Sequence, residues 1–293
     1  MMEHYAAGIV LYNPDKKRLE KNLKAVCGQV EVVYCYNNGL QNADEINMLL
    51  KKYKNLQIIG DGINVGIATA LNEIVKQAAR DNIEWILTLD QDSVVCSGMV
   101  SALASLKNKK NVAIICPAIE DVRRKNEAPV IAKNTIEDLD FCITSGSFMN
   151  VKKTIEIGGF DDALFIGLVD DEICYKVKKN GYRIIRNNAV ILDHELGNLI
   201  PSRNETLYLK VGELLHSDII KKLSYRRVVS PMRLYYATRN MIYLNRKYPE
   251  KNASWSLKKM VFNSCSSLLR GKKKSVLVKN ILNGIKDGRK MGV

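Results

Sequence analysis

The most informative stretch of this sequence is Trp85-Ile86-Leu87-Thr88-Leu89-Asp90-Gln91-Asp92-Ser93, an apolar run that ends in two carboxylates. A run of this length and composition is typical of a strand buried on both faces. Because ligands bind beyond the carboxyl ends of strands in open α/β sheets, Asp90 and Asp92 lie where a functional site is expected. Two oxygen donors one residue apart can share a divalent cation, Mg²⁺ or Mn²⁺, which can hold a diphosphate. The alternative is a solvated turn, since Asp and Ser are common turn residues.

On both sides of this stretch, apolar strands alternate with amphipathic helices. Further strands are predicted at residues 6–12, 30–36, 56–60 and 112–116, with a helix after each of the first three and another near 98–106. Such an alternation predicts an α/β fold with a doubly wound, mostly parallel sheet flanked by helices. Asn64 is expected to cap the helix that begins near Gly66, and such a helix start can bind phosphate.

The composition is that of a soluble globular protein. The chain has 293 residues, 46% of them hydrophobic and 26% charged, and its apolar runs stay well below the ~18 residues that span a bilayer. The first residues lack the positive flank of a secretory signal and are interpreted as leading into a core strand. Seven scattered cysteines without a Cys-x-x-Cys pair indicate reduced, packed thiols in a cytoplasmic protein and argue against a zinc site.

The net charge of +14 is concentrated at the C-terminal end. Residues 221–293 contain 19 Lys and Arg against 2 Asp and Glu, whereas residues 1–220 contain 26 against 29. We therefore predict a main domain at 1–220 and a basic region at 221–293 with amphipathic segments at 255–270 and 276–285. Basic amphipathic helices with a tryptophan, here Trp255, suit an anionic membrane surface. A helical bundle with solvated lysines is the alternative; nucleic-acid binding is less favoured, since no recognition module accompanies the charge.

Two further groups of polar residues follow the central stretch. Asp170, Asp171 and Glu172 open a predicted helix, where the helix dipole by itself favours carboxylates. His194 follows the last predicted strand, close to the other acidic strand ends. A lone histidine in such a position is more often a hydrogen-bonded structural residue than a ligand.

Several motifs carry a resemblance when taken in order over residues 6–240. They are Leu11-Tyr12-Asn13-Pro14, Asn64-x-Gly66-Ile-Ala68-x-Ala70-Leu-Asn72, Leu87-Thr-Leu-Asp-Gln-Asp-Ser93, Ile143-Thr-Ser-Gly146, Phe165-Ile-x-x-Val-Asp170-x-Glu172-x-Cys174, Gly181-Tyr182, His194-x-x-Gly197 and Arg233-x-Tyr235-Tyr236-x-x-Arg239-Asn240. Together they resemble the family 2 inverting glycosyltransferases of the GT-A fold, and most closely the bacterial rhamnosyltransferases that build surface polysaccharides.

The resemblance implies a role for each matching position. Asp92, with Asp90 and His194, would hold Mg²⁺ or Mn²⁺. Asp170 would be the catalytic base, with Asp171 as its rival, and Arg239 would contact the diphosphate. The sugar or acceptor would meet Ser145, Gly146 and Glu172. The nucleotide would meet Tyr12, Asn13, Asn37, Asn64, Gly66, Asp90 and Gln91.

The implied activity is the transfer of L-rhamnose from dTDP-L-rhamnose to a lipid-linked saccharide at the inner face of the cell membrane. Asn37 stands where the family usually has an aspartate that reads the nucleotide base, so the preference for thymine over uracil is open. Gly167 stands where relatives commonly carry an acidic residue. A UDP-hexose or galactofuranose donor, and a non-catalytic nucleotide-sugar-binding subunit, remain as alternatives. A sugar nucleotidyltransferase is disfavoured, because no glycine-rich, lysine-bearing loop follows the first strand.

Overall fold

The structure, a computed structural model, describes residues 4–41, 43–121, 133–194, 199–202, 204–217, 220–221, 224–227, 229–250, 256–270 and 273–293. The chain divides into two compact units, residues 1–119 with 131–194 and residues 120–130 with 195–293. The second unit thus begins before residue 221, where the basic region starts in the sequence. Among the described helices, none is both long and apolar enough to cross a membrane.

The first unit carries the predicted alternation of strands and helices. Its strands are β1 (Tyr5–Leu11), β2 (Val32–Asn37), β3 (Leu56–Ile59), β4 (Trp85–Asp90), β5 (Val94–Val95), β6 (Val112–Asp121), β7 (Ile136–Leu139), β8 (Ser147–Asn150) and β9 (Arg183–His194). Its helices are α1 (Lys16–Val26), α2 (Ala43–Leu50), α3 (Ile67–Arg80), α4 (Met99–Ala104), α5 (Val151–Glu156) and α6 (Val169–Lys179). The α/β fold with a sheet flanked by helices is confirmed.

The sheet is parallel on one side and mixed on the other. Its strand order is β3-β2-β1-β4-β8-β6-β9-β5, with β7 on β9. The pairs β3–β2, β2–β1 and β1–β4 are parallel, as predicted. In contrast, β8 inserts antiparallel between β4 and β6, and β9 pairs antiparallel with β5 and β7. Antiparallel neighbours need no crossover helix, which explains why the helical alternation stops predicting the sheet after β6.

Strand β4 lies in the middle of the core. Its residues from Trp85 to Leu89 are buried, whereas Asp90 at its carboxyl end is exposed, as predicted. The Trp85 ring stacks on Phe148 of the neighbouring β8 with a centroid separation of 5.2 Å. The core therefore fixes the position at which the two carboxylates leave the sheet.

The predicted cap of helix α3 was wrong. Gly66, at a φ of +86°, occupies the cap position, and Asn64 Oδ1 instead accepts a hydrogen bond from the Gly66 N–H at 3.1 Å. The first helical N–H, that of Ile67, donates to the Phe165 carbonyl at 2.7 Å. A side chain at Gly66 would place its Cβ 2.7 Å from the same carbonyl, so this close approach requires glycine.

The second unit is helical with one small antiparallel pair. It contains β10 (Leu199–Pro201), α7 (Glu205–Leu214), β11 (Tyr225–Arg227), α8 (Pro231–Lys247), α9 (Leu257–Arg270) and α10 (Lys274–Lys290). Helix α10 packs along α8, where a Cβ at Gly284 or Gly288 would lie 2.7 or 2.4 Å from a backbone oxygen of α8. The Tyr235 hydroxyl also donates to Asp287 Oδ2 at 2.9 Å. Helix α10 is therefore a tightly packed bundle helix.

Helix α9 presents apolar side chains to solvent instead. Leu257, Val261 and Leu269 are exposed, and Phe262 is 69% exposed. Lys258 and Lys259 lie among them in the sequence, while Trp255, which was expected to join this surface, lies outside the described residues. The two amphipathic segments predicted from the sequence thus differ in packing. Helix α10 buries Leu277 and half-buries Ile281 and Ile285, although Val276, Val278 and Leu282 are exposed.

Candidate functional site

The carboxylate pair and His194 form one cluster at the carboxyl end of β4. Strand β5 follows the pair directly and lies antiparallel to β9, with Val94 opposite Asp193. This register brings the next residue, His194, beside the loop that carries Asp90 and Asp92. One ligand atom from each of these three side chains lies within 4.8 Å of the others. The structure thus brings together the three predicted metal ligands, although strand β5 was too short to be predicted.

Helix α1 holds the backbone of this loop from behind. Asn22 Nδ2 donates to the Asp90 carbonyl at 2.8 Å, and Arg18 Nε donates to the Asp92 carbonyl at 2.5 Å. The two residues are one helical turn apart, so they reach carbonyls that are two residues apart. The sequence interpretation missed both. A buried asparagine between the apolar positions Leu19 and Leu23 was the available signal, since buried polar groups are normally hydrogen-bonded.

A chain of buried hydroxyls fixes the imidazole of His194. Ser93 Oγ lies 2.7 Å from His194 Nδ1 and 2.7 Å from Ser145 Oγ, and Ser145 Oγ accepts from the Asp90 N–H at 3.0 Å. With Nδ1 engaged by Ser93, Nε2 is the ring nitrogen that faces the Asp90 carboxylate, 3.8 Å from its Oδ2. A hydroxyl that is hydrogen-bonded to one ring nitrogen orients a histidine whose other nitrogen binds a metal.

These residues fit a divalent cation. Asp92 Oδ1 is buried, lies 3.9 Å from His194 Nδ1 and has no hydrogen-bond partner among the described residues. A buried carboxylate oxygen without a partner is costly unless a positive group satisfies it. Carboxylate oxygens suit Mg²⁺ and Mn²⁺, and the imidazole nitrogen is compatible with a transition metal such as Mn²⁺.

Asp170 lies in the first turn of α6, behind a constrained turn. Leu168 caps the helix with a φ of +61°, which is rare for a bulky residue and tends to occur at functional sites. The Thr144 N–H and Oγ1 both donate to Asp170 Oδ1, at 3.0 and 2.5 Å. Desolvation raises the pKa of Asp170 to about 6, aided by the nearby Asp171 and Cys142, while the two bonds from Thr144 lower it. A carboxylate tuned in this way is suited to act as a general base.

Two adjacent residues hold Asp170 and the carboxylate cluster. Thr144, which holds Asp170, is directly followed by Ser145, which accepts from the backbone N–H of Asp90. Adjacent Cα atoms are about 3.8 Å apart, so the two carboxylate positions are linked by one short bridge of residues. Thr144 belongs to the motif Ile143-Thr-Ser-Gly146, but its role was not predicted from the sequence.

Most of the predicted nucleotide residues lie at the ends of β1, β2 and β4, whereas Asn64 and Gly66 directly precede α3. The Gln91 amide bonds both backbone groups of Tyr12, accepting from its N–H at 2.8 Å and donating to its carbonyl at 3.1 Å. Asn13 Oδ1 accepts from the Gln41 N–H at 2.8 Å. Asn37 Oδ1 accepts from the N–H groups of Gly39 and Leu40, which closes the turn after β2. The Tyr12 backbone is thus fixed to Gln91 while its side chain is exposed, and the nucleotide contacts stay predictions.

The predicted sugar residues are buried, and Arg239 lies outside the first unit. Ser145 and Gly146 are buried, and a Cβ at Gly146 would lie 2.8 Å from Leu192 rather than in open space. Glu172 is fully buried and paired with Lys176 at 3.5 Å, so a sugar contact would require this carboxylate to leave the core. Arg239 lies in the second unit, with its guanidinium 4.7 Å from the Tyr236 ring centroid. Its diphosphate contact stays a prediction.

Comparison with known proteins identifies the family of the chain. The family model for glycosyl transferase family 2 matches residues 7–167. The dTDP-rhamnosyl transferase RfbF of Shigella flexneri is 26% identical over 264 residues, which cover 84% of this chain and 81% of that protein.

Two solved structures share the fold. TarS of S. aureus (residues 1-349) aligns with a TM-score of 0.54 and 14% identity, over 98% of this chain and 89% of that one. GalNAc-T7, solved with UDP, GalNAc and Mn²⁺, aligns with a TM-score of 0.55 and 14% identity over 90% of this chain, which spans 57% of the GalNAc-T7 chain. The GT-A fold expected from the sequence is thereby confirmed. Since the family model covers more than half of the sequence, the chain belongs to glycosyl transferase family 2 and is a glycosyltransferase.

Proposed function

We propose that this glycosyltransferase moves L-rhamnose, with inversion, from dTDP-L-rhamnose to a lipid-linked saccharide in bacterial surface polysaccharide synthesis. The observation that carries this proposal is the cluster of Asp90, Asp92 and His194, which the adjacent residues Thr144 and Ser145 link to Asp170. The donor is proposed from the similarity to the Shigella flexneri dTDP-rhamnosyl transferase. An inverting transfer needs a base for the acceptor hydroxyl on one face of the donor sugar and charge neutralisation of the leaving diphosphate on the other.

In this proposal each carboxylate has a separate task. Asp170 accepts the proton of the acceptor hydroxyl as that oxygen attacks the anomeric carbon. Its raised pKa makes the carboxylate a stronger base than an exposed aspartate while keeping it ionised at neutral pH. Asp90, Asp92 and His194 would hold Mg²⁺ or Mn²⁺, and such a cation supplies positive charge for the diphosphate oxygens. Helix α1 and the hydrogen-bonded pair Ser93 and Ser145 keep these ligands in place.

A UDP-sugar donor is the second candidate, favoured by two observations. TarS has been solved with UDP-GlcNAc, and Asn37 stands where the resembled family usually has a base-reading aspartate. A screen of nucleotide sugars by thermal unfolding in the presence of Mn²⁺ separates the candidates. We expect dTDP-L-rhamnose to raise the unfolding midpoint more than UDP-glucose, UDP-GlcNAc or UDP-galactofuranose, because only the matching nucleotide and sugar make all their contacts. A larger shift with any UDP-sugar would overturn the proposed donor.

We also propose that the second unit attaches the enzyme to an anionic membrane surface through helix α9. Its exposed Leu257, Val261 and Phe262 supply apolar contacts, and residues 221–293 supply the excess of positive charge. A basic amphipathic helix of this kind lies in the plane of the lipid headgroups. Each lysine or arginine near such a surface adds about 1 kcal/mol of attraction. Attachment would bring the enzyme to the membrane surface that carries a lipid-linked acceptor.

Cosedimentation with lipid vesicles tests the attachment. The protein should sediment with phosphatidylcholine vesicles only when they contain phosphatidylglycerol. Phe262→Asp should weaken this binding by about tenfold or more, since a buried phenylalanine contributes about 1.5–3 kcal/mol. Met48→Asp, at an exposed apolar position of α2 in the first unit, serves as the matched control and should bind normally. Equal binding of the Phe262→Asp variant would contradict the proposal.

A further inference from the structure

The loop between β7 and β8 holds both halves of the candidate site through two adjacent residues. The Thr144 N–H and Oγ1 both donate to Oδ1 of Asp170, at 3.0 and 2.5 Å. Among the described residues, no hydrogen bond involves the second oxygen, Oδ2. Two donors on one oxygen restrain the rotation of the carboxylate, and Oδ2 remains the oxygen that can accept a proton.

The next residue, Ser145, contacts the proposed metal ligand Asp90. Ser145 is buried, and its Oγ accepts from the Asp90 N–H at 3.0 Å. The same Oγ lies 2.7 Å from Ser93 Oγ, which in turn lies 2.7 Å from His194 Nδ1. Ser145 is therefore connected with two of the three proposed ligands, through the backbone of Asp90 and the ring of His194.

Strand β4 anchors this pair of residues. Thr88 Oγ1, two residues before Asp90, donates to the Thr144 carbonyl at 2.6 Å, and Gly146 N–H donates to the Thr88 carbonyl at 2.7 Å. Thr88 is itself buried. Gly146 adopts a φ of +83° and packs against Leu192 and Pro117, so its backbone has little freedom to shift. The loop is thus held in place at the strand that ends in Asp90, one of the proposed metal ligands.

We propose that Thr144 and Ser145 are positioning residues that hold the base and the metal ligands in one fixed geometry. Thr144 directs Asp170 Oδ2 towards the acceptor hydroxyl, and Ser145 holds Asp90 and, through Ser93, His194. This inference rests on the proposed function. If Thr144 and Ser145 served folding alone, their substitution would change neither the pH profile nor the metal affinity. Those two properties therefore provide the test.

Thr144→Val tests whether Thr144 orients the base. The change is nearly isosteric and keeps the backbone N–H, but it removes the hydroxyl that lowers the pKa of Asp170. The other titratable groups facing Asp170 are Asp171, Cys142 and Cys174, which stay unchanged. We expect the acid limb of the kcat/KM profile to move up by about one pH unit and the KM for the donor to remain constant. Thr144→Ser should restore the profile, since it keeps the hydroxyl.

Ser145→Ala tests whether Ser145 holds the metal ligands, through a readout that is independent of turnover. Binding of Mn²⁺ alone, measured by calorimetry or electron paramagnetic resonance, should weaken by about tenfold or more, as is typical when a residue that orients metal ligands is removed. Ser101→Ala, at an exposed serine of α4, is the control and should bind Mn²⁺ normally. Ser145→Cys, which keeps a weak donor and acceptor of similar size, serves as a second variant if the alanine variant does not fold.

The outcomes separate this inference from the proposed function. The assays use the full chain, the nucleotide sugar selected by the donor screen and bacterial membrane extract as the acceptor source. If Asp170→Asn is inactive but Thr144→Val keeps the pH profile of the unsubstituted enzyme, or Thr144→Ser fails to restore it, Thr144 does not position the base. If the Ser145 variants bind Mn²⁺ normally, Ser145 does not position the ligands. If Asp170→Asn keeps full turnover, the proposed base itself is wrong, whatever the Thr144 variants do.

Discussion

Replacing Asp170 with asparagine is expected to reduce sugar transfer by about 10²–10⁴-fold, the range typical for loss of a general base. The amide preserves the shape of the side chain and can still accept the hydrogen bonds from Thr144, but it cannot take a proton from the acceptor hydroxyl. Donor binding, measured by calorimetry with Mn²⁺ present, should stay close to that of the unsubstituted enzyme, because Asp170 is not among the proposed metal ligands. Retained turnover would remove Asp170 from the reaction.

Asp171→Asn is the matched control for this experiment. Asp171 is the adjacent carboxylate on α6 and the rival base, and its negative charge contributes to the raised pKa of Asp170. Transfer requires an ionised base, so the activity of the unsubstituted enzyme should fall as the pH drops through about 6. Without Asp171 the pKa of Asp170 decreases, and the acid limb should move to lower pH with turnover preserved at neutral pH. A large loss of turnover in Asp171→Asn alone would exchange the two assignments.

Asp92→Asn is expected to produce the other large effect, a loss of metal-dependent donor binding. Asp92 Oδ1 is buried without a hydrogen-bond partner among the described residues and lies next to His194. Mutation of a residue that only hydrogen-bonds a metal ligand typically lowers metal affinity by about 10–100-fold. The loss of a ligand itself should lower the affinity at least as much. The stabilisation of the protein by Mn²⁺, and by the donor in the presence of Mn²⁺, should then disappear in a thermal unfolding assay.

Asp44→Asn provides the control for Asp92, since Asp44 is an exposed aspartate in the first turn of α2. Its Mn²⁺ response should be unchanged. Asp92→Asn should also fold normally without metal, because the amide has the same size and no hydrogen bond to Oδ1 is lost. If this variant bound Mn²⁺ and donor as well as the unsubstituted enzyme does, the proposed metal ligands would be wrong.

Local patterns were sufficient to predict the central strand and its exposed end. The apolar run before Asp90 is typical of a strand buried on both faces, and the parallel direction of β1 to β4 was predicted from the helices between these strands. The antiparallel half could not be predicted in the same way. Short strands such as β5 and β8 have too few residues for a periodic signal, and their pairing depends on tertiary contacts. Yet β5 is the strand that brings His194 to the carboxylates.

The residues that support the site were less predictable than the residues that form it. Asp90 and Asp92 could be selected because carboxylates at a strand end suggest chemistry by their type, whereas Asp170 was selected through the resemblance to family 2 glycosyltransferases. Asn22, Thr144 and Ser93 are common residue types whose roles depend on partners 68, 26 and 101 residues away. Conversely, Glu172 has a functional residue type, but the helix turns it into the core, where Lys176 neutralises it.

The most direct test of the account compares Asp92→Asn and Asp170→Asn in one experiment that measures donor binding with Mn²⁺ and sugar transfer on the same samples. We predict that both variants lose transfer but only Asp92→Asn loses metal-dependent binding, since one carboxylate holds the cation and the other accepts the proton. Transfer at the unsubstituted rate in either variant, or loss of binding in both, would contradict the assignment of two separate tasks within one site.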